Sequence, residues 1–238
     1  MARSVLVTGA SNGIGRGIVD RLARDGFFPV NLDIKPPRND APGDFLAVDL
    51  ADPDATVAAL DDAVGRYQPY GLVNNVGMVA PAALEDTTVA DLDQVFGLNL
   101  RAAVLCTQRL VPGMRAAGGG RIVTISSRAA LGKELRSSYA ASKASLIGLT
   151  KSWALELAGD GITVNVIGPG PIATDLFNAA NPPDSPRTRA IVDGVPVRRL
   201  GTPADIAHAA AFFMSEAASF VTGQVLYVCG GMTVGRAA

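Results

Sequence analysis

The chain is expected to fold as an α/β structure, three-layer and doubly wound, around a mostly parallel seven-stranded sheet. Three observations lead there. Seven short apolar or β-branched runs alternate with stretches of helical periodicity, the pattern left by right-handed βαβ crossovers. A glycine-rich turn joins the first strand to the first helix, and polar or acidic residues close strand after strand at the carboxyl end, where such sheets bind ligands. The 238 residues, 48% hydrophobic and 18% charged, suffice for one core and are expected to form a single domain over 1–238.

The same composition narrows the function. Net charge is −1 and no long basic run occurs, which argues against nucleic acid or an anionic membrane as partner. No apolar run reaches the ~18–20 residues of a membrane span, and MARSVLVTGA enters a strand directly, without the apolar core of a signal peptide, so a cytoplasmic protein is expected. Cys106 and Cys229 read as separate buried thiols, and with His208 the only histidine no metal site is expected.

In chain order, Ser4 to Val7 is the first strand and Arg16 to about Asp25 the first helix, joined by Thr8-Gly9-Ala10-Ser11-Asn12-Gly13-Ile14-Gly15. This places backbone N–H groups at a helix N-terminus, a favourable seat for phosphate. The spacing is G-x-x-x-G-x-G, and a tight turn with close helix packing would also account for it. Gly9 to Gly13 also fits G-x-S-x-G, the nucleophile elbow of α/β-hydrolases, with Ser11, an aspartate and His208 as a triad. That fold needs strands before the elbow, and here it would sit on the first strand; the hydrolase reading is rejected. The second strand, Pro29 to Leu32, ends at Asp33, about 20 residues past the glycines, where a carboxylate receives adenosine ribose hydroxyls and repels a 2′-phosphate. NAD is therefore expected over NADP, although Lys35 and Arg38 are close by, and Asp33 could simply open the turn before Pro36-Pro37.

Phe45 to Val48 is a third strand, ending in Asp49-Leu50. Pro53 to Tyr67 is an amphipathic helix with Val57, Leu60 and Val64 on one face. Gly71 to Val73 is a strand running into Asn74-Asn75-Val76-Gly77. A long helix is expected from Thr88 to Ala117, with Leu92, Phe96, Asn99 and Ala103 in one stripe; an asparagine there must find partners, in local backbone or in a site. Ile122 to Ile125 is a strand ending in Ser126-Ser127, followed by a polar turn and a helix, Ser137 to Ala158. Tyr139 and Lys143, four apart, share a face of that helix. A neighbouring ammonium stabilises phenolate and lowers a tyrosine pKa from its usual ~10; an ordinary core tyrosine with a solvated lysine is the alternative. Ile162 to Ile167 is the sixth strand and Val225 to Val228 the seventh, with Pro203 to Met214 a helix. Residues 175–200 lack a clear pattern and read as a lid over the site or a plain connector.

Taken together, TGASNGIG (8–15), Asp49-Leu50, NNVG (74–77), Asn99, Ser127, Tyr139-x-x-x-Lys143 and PGPIAT (169–174) resemble the short-chain dehydrogenase/reductase family along essentially the whole chain. The resemblance implies a Rossmann fold and an NAD(P)-dependent oxidoreductase that interconverts a secondary alcohol and a ketone. It implies that Gly9, Asn12, Gly13, Ile14 and Gly15 hold the pyrophosphate, that Asp49-Leu50 and Asn75-Val76 flank the adenosine, and that Pro169, Gly170, Ile172 and Thr174 line the nicotinamide end. Tyr139 would be the general acid/base, Ser127 would bond the substrate oxygen, Lys143 would bind the nicotinamide ribose, and Asn99 would hold a water linked to Lys143. A homotetramer or homodimer through 88–117 and 137–158 is also implied, with Trp153 and Leu157 as interface or core residues.

Three features depart from the family pattern. Val76 replaces a usual alanine, Cys229 replaces the aspartate of a late D-G-G motif, and the turn between Ser127 and Tyr139 is about one residue short, which raises Ser126 as the alternative hydroxyl. Strand alternation allows only one of the two serines into the site; Ser127 is preferred. An NADPH-dependent 3-oxoacyl-type reductase is a rival reading, against which stand Asn12 and Ile34 where basic residues would be expected. A non-catalytic dinucleotide-binding regulator is a second rival, which need not keep Asn99, Ser127, Tyr139 and Lys143 together. Arg128, Lys133 and Arg136 border the expected pocket and would either grip an acidic substrate or lie solvated beside Glu134.

Overall fold

The structure, a computed structural model, describes residues 2–234. Its strands are β1 (Ser4–Thr8), β2 (Phe28–Asp33), β3 (Asp44–Ala47), β4 (Gly71–Asn74), β5 (Gly120–Ile125), β6 (Ile162–Pro169) and β7 (Val225–Val228). They form one sheet in the order β3-β2-β1-β4-β5-β6-β7. Each neighbouring pair is parallel, so the sheet expected to be mostly parallel is parallel throughout its seven strands. The strand order reverses between β1 and β4, and the loops leaving these two strands therefore part and open a crevice at their carboxyl ends.

The helices are α1 (Gly13–Arg24), α2 (Pro53–Tyr67), α3 (Val89–Phe96), α4 (Ala102–Ala116), α5 (Ser137–Leu157), α6 (Asp175–Ala180), α7 (Pro186–Asp193) and α8 (Pro203–Met214). Strand side chains alternate between the two faces. Leu6, Leu72 and Ile122 pack on one face with Leu60 of α2 and Cys106 and Leu110 of α4. Val5, Val7, Val73 and Val123 pack on the other with Ile18 and Leu22 of α1 and Ile206 and Phe213 of α8. Buried on both faces, the strands read as continuous apolar runs. Leu157 belongs to the first cluster and Trp153 packs partly against it, so both are core residues within this chain.

Two segments differ from expectation. The helix expected over Thr88–Ala117 is broken by a π-helical turn, Gly97–Arg101, that contains Asn99. The extra residue in that turn rotates what precedes it: Leu92 is 37% exposed and Val95 takes the inward position. Residues 175–200 hold α6 and α7, capped by the Thr174 hydroxyl accepting from Phe177 N at 3.2 Å and the Ser185 hydroxyl accepting from Thr188 N at 3.1 Å. Helices of six and eight residues span too few turns for a periodic stripe to stand out. Among the described residues no helix is long and apolar enough to cross a membrane.

Candidate active site

The glycine loop lies at the carboxyl end of β1. Gly9 and Gly13 hold φ of +64° and +54°, the left-handed region that glycine enters at little cost. A Cβ on Gly15 would come 2.4 Å from the Gly9 carbonyl oxygen, so the first turn of α1 packs directly against the loop. The loop is held from both sides. Asn31 on β2 accepts from Ala10 N at 3.1 Å, and Asp33 accepts from Ser11 N at 3.0 Å. Beyond β4, Asn75 donates to the carbonyls of Thr8 and Gly9, both at 2.9 Å, while the Thr8 hydroxyl accepts from Asn75 N and Val76 N. Asn12, the N-cap of α1, makes no side-chain bond to the first-turn N–H groups, which leaves them as donors to an anion. Ser11, by contrast, is committed: its hydroxyl donates to the Lys35 carbonyl and accepts from Asn31 Nδ2 at 2.9 Å, which is no arrangement for a nucleophile.

Asp33 is partly buried at the end of β2, with Lys35 and Arg38 exposed beside it. Arg38 lies 3.7 Å from Asp175. At the end of β3, Asp49 is exposed and Leu50 is buried in the core, so only the aspartate of this pair opens toward solvent. Val76 is half-buried and packs on the same core; a Cβ on Gly9 would come 2.9 Å from its Cα. At the end of β6, Pro169 pairs with Val228 and Gly170 runs against Cys229; beyond them Ile172 is buried and bridged to Gly201, and Thr174 lies 3.4 Å from where a Gly13 Cβ would be. The 169–174 segment and the glycine loop thus face each other across the crevice.

The end of β5 separates the two serines. Ser126 is buried and donates to the Lys143 carbonyl at 2.6 Å. Ser127 is half-buried, accepts from Ala129 N at 3.1 Å as the cap of a 3-10 turn (Arg128–Leu131), and stands near enough to the Tyr139 hydroxyl to favour its ionised form. Lys143 is only 3% exposed, donates from Nζ to the Ile125 carbonyl at 2.8 Å, and lies 5.9 Å from the centre of the Tyr139 ring. A Cβ on Gly77 would fall 3.2 Å from Lys143 Nζ and 3.1 Å from Asn99 Oδ1, so a larger residue there would crowd both side chains. Asn99 accepts from Met78 N at 2.7 Å and donates to Met78 O and to Ser142 Oγ, both at 3.0 Å. Both amide hydrogens are therefore engaged by protein. The side chain thus has the local-backbone partners that a buried asparagine needs and, through Ser142, fastens the β4 loop to α5.

Burial governs the titration of this group. The Lys143 ammonium is pushed down to about 8 by desolvation. The Tyr139 phenol is raised, chiefly by burial, while the Ser127 hydrogen bond and the Arg136 charge pull the other way. The lowering expected from Lys143 does not contribute: the ammonium is turned to the Ile125 carbonyl, and burial carries the phenol above its usual range.

The comparisons with known proteins can be set against this geometry. The family model described as enoyl-(acyl carrier protein) reductase matches residues 9–233. The chain belongs to the short-chain dehydrogenase/reductase family. The relationship makes it an oxidoreductase. Among short-chain dehydrogenase/reductase relatives, the (2S)-[(R)-hydroxy(phenyl)methyl]succinyl-CoA dehydrogenase subunit BbsD of Thauera aromatica is 36% identical, covering 98% of this chain and 97% of its own. The 3-oxoacyl-[acyl-carrier-protein] reductase FabG of Staphylococcus aureus is 35% identical, covering 98% of each. A crystal structure from Beutenbergia cavernae, provisionally named an NAD(P)-dependent gluconate 5-dehydrogenase and holding NADP at low occupancy, superposes with a TM-score of 0.93 at 34% identity over 99% of this chain and 98% of its own.

The structure also brings in residues that pattern reading passed over. Thr8, Asn31 and Ser142 hold site residues in place, and Ser142 donates to the Tyr139 carbonyl at 2.8 Å. Their common signal was a hydroxyl or amide within an otherwise apolar strand or helix face, which Asn99 alone had drawn attention to.

Proposed function

We propose that the protein interconverts a secondary alcohol and a ketone with NAD(H), Tyr139 giving and taking the proton. The observation that carries this reading is the Ser127–Tyr139 hydroxyl pair at the sheet's carboxyl end, with Lys143 buried beside it. The residues fit a nicotinamide dinucleotide: uncapped N–H groups of α1 suit the pyrophosphate, Asp33 the adenosine ribose, and Ile172 and Thr174 the far end of the crevice. When bound, that cofactor supplies hydride transfer. The chain's own part is to orient and to move a proton. Ser127 and protonated Tyr139 both donate to a carbonyl oxygen, polarising it, and Tyr139 then gives up its proton as the alcohol forms. In the reverse direction the phenolate accepts the alcohol proton, and Ser127 and the Arg136 charge favour its formation.

Asp33 supports NAD over NADP, because a 2′-phosphate would face its carboxylate. The NADP in the Beutenbergia cavernae structure supports the other choice, and the FabG relative supports 3-oxoacyl substrates as a second reading. Single-domain organisation, a lid role for α6 and α7, and assembly through α4 and α5, where Leu155 is exposed, belong to the same proposal. Titration with NAD(H) and NADP(H) against a panel of secondary alcohols and ketones tests it. Turnover with NAD(H) is expected; no turnover with either cofactor across the panel would sink the reading.

A further inference from the structure

Four cations gather beside the Ser127–Tyr139 pair. Arg128 opens the 3-10 turn that Ser127 caps. Lys133 lies in the following turn, and Arg136 stands at the N-cap of α5, its backbone bridged to Ala82. Arg187 comes from the first turn of α7. Lys133 binds its proton more weakly than usual, first because it is partly desolvated and then because the charges of Arg136, Arg128 and Arg187 bear on it, and the charge of Arg136 reaches the Tyr139 phenol. The cluster therefore begins at the reacting hydroxyls and extends to α7.

This placement is hard to explain by folding stability. Among the described residues none of the four makes an ion pair, and Glu134, within the same turn, pairs with none of them. Neither α5 nor α7 has an acid in its first turn; each begins with a cation against the positive end of the helix dipole. Like charges held together without a counter-charge attract anions, and arginine favours planar oxyanions that it can bond through two N–H groups.

We propose that Arg128, Lys133, Arg136 and Arg187 form an anion subsite and that the substrate is an acid, bearing a carboxylate or phosphate on the segment that leads from the reacting carbon toward α7. The inference rests on the alcohol–ketone reading above and adds the class of substrate to it. A substrate enters with its reacting oxygen on Ser127 and Tyr139 and its anion on the guanidinium groups, which fixes the orientation of the carbon between them.

The test is a calorimetric titration of the full-length protein, NADH present, with 2- and 3-hydroxy acids of graded length, the matching alcohol phosphates and the uncharged methyl esters. An alcohol cannot react with reduced cofactor, so the readout is binding alone. An acid or phosphate of at least one length is expected to bind about tenfold or more tightly than its ester, as charge-assisted bonds allow, and the two anion series show which group the subsite takes. Combining Lys133→Gln with Arg187→Gln, both at exposed positions, is expected to bring acid and ester within about twofold. Equal affinity for charged and uncharged forms, no binding of any charged form, or a preference that survives the double substitution overturns the proposal. Failure of the underlying alcohol–ketone reading shows differently, as absence of turnover of every ester with either dinucleotide, whatever the binding preference.

Discussion

The Ser126 hydroxyl donates to the backbone carbonyl of Lys143 across 2.6 Å. This bond ties the residue before the Ser127-capped turn to the second turn of α5, and it leaves Ser127 as the serine beside Tyr139. The two neighbours should therefore fail differently. Ser126→Ala removes a buried hydrogen bond, while the Lys143 carbonyl keeps its place in the α5 ladder, and is expected to lower stability by about 1 kcal/mol with little loss of kcat in the folded fraction. Ser127→Ala gives up the cap of a single 3-10 turn, for up to about 1 kcal/mol of stability, and is expected to lose about 100-fold in kcat. Urea titration together with steady-state kinetics separates them, and the opposite pattern would reassign the hydroxyl.

Tyr139→Phe removes only the ionisable hydroxyl from a partly buried ring. A loss of about 100-fold to 10,000-fold in kcat is expected from general acid–base catalysis, with NAD affinity unchanged by fluorescence titration. A variant that keeps most of its turnover would remove Tyr139 from the mechanism.

Lys143 carries a pH-dependent penalty. Its folded pKa, about 8, is below the ordinary value of 10.5, because burial disfavours the charged form. Below about pH 8 both folded and unfolded chains hold the proton and the folded state bears the whole desolvation cost, about 3 kcal/mol. Between about 8 and 10.5 the unfolded chain binds more protons, so this penalty fades as pH rises. Lys143→Met removes the charge and also the bond to the Ile125 carbonyl, worth about 1 kcal/mol. A net gain of about 2 kcal/mol at neutral pH, shrinking toward pH ~10, is expected by denaturant titration, alongside loss of turnover. A variant less stable than wild type at pH 7 would show that Lys143 is better solvated than its burial indicates.

Asp33 serves two ends, since its carboxylate holds Ser11 N in the glycine loop and meets the ribose in the proposed complex. Wild type is expected to favour NAD over NADP by about tenfold or more in kcat/KM, and Asp33→Asn to narrow that preference by about tenfold, because the repulsion of a 2′-phosphate is lost while an acceptor for Ser11 N is kept. An unchanged ratio would place cofactor choice elsewhere.

Much of this protein could be read without coordinates. α2, α8 and β7 run over the expected residues, since each is a periodic or β-branched run with clear end signals: Pro53 and Pro203 open the helices, and Asp52 and Thr202 cap them. The site was legible wherever function leaves a local pattern: glycines where the loop turns, Asp33 at a strand end, Tyr139 and Lys143 one helical turn apart. The π turn at Gly97–Arg101 and the short helices α6 and α7 were not legible, because one inserted residue or two turns of helix leave no period to detect.

What the amino-acid order determined by itself was therefore the alternation of strands and helices, the doubly wound class that follows from it, and the set of polar residues delivered to one edge of the sheet. Only the tertiary structure decided how those residues are used. It turned Ser126 to the Lys143 carbonyl and Ser127 to Tyr139, engaged Asn99 with Met78 and Ser142, aimed the Lys143 ammonium at Ile125, and drew Arg187 toward Arg128, Lys133 and Arg136. The reason is physical. Periodicity along a chain reports which face of an element is buried, whereas a buried polar group takes whichever partner the fold brings within about 3 Å, and those partners are separated in sequence by distances that no local pattern records.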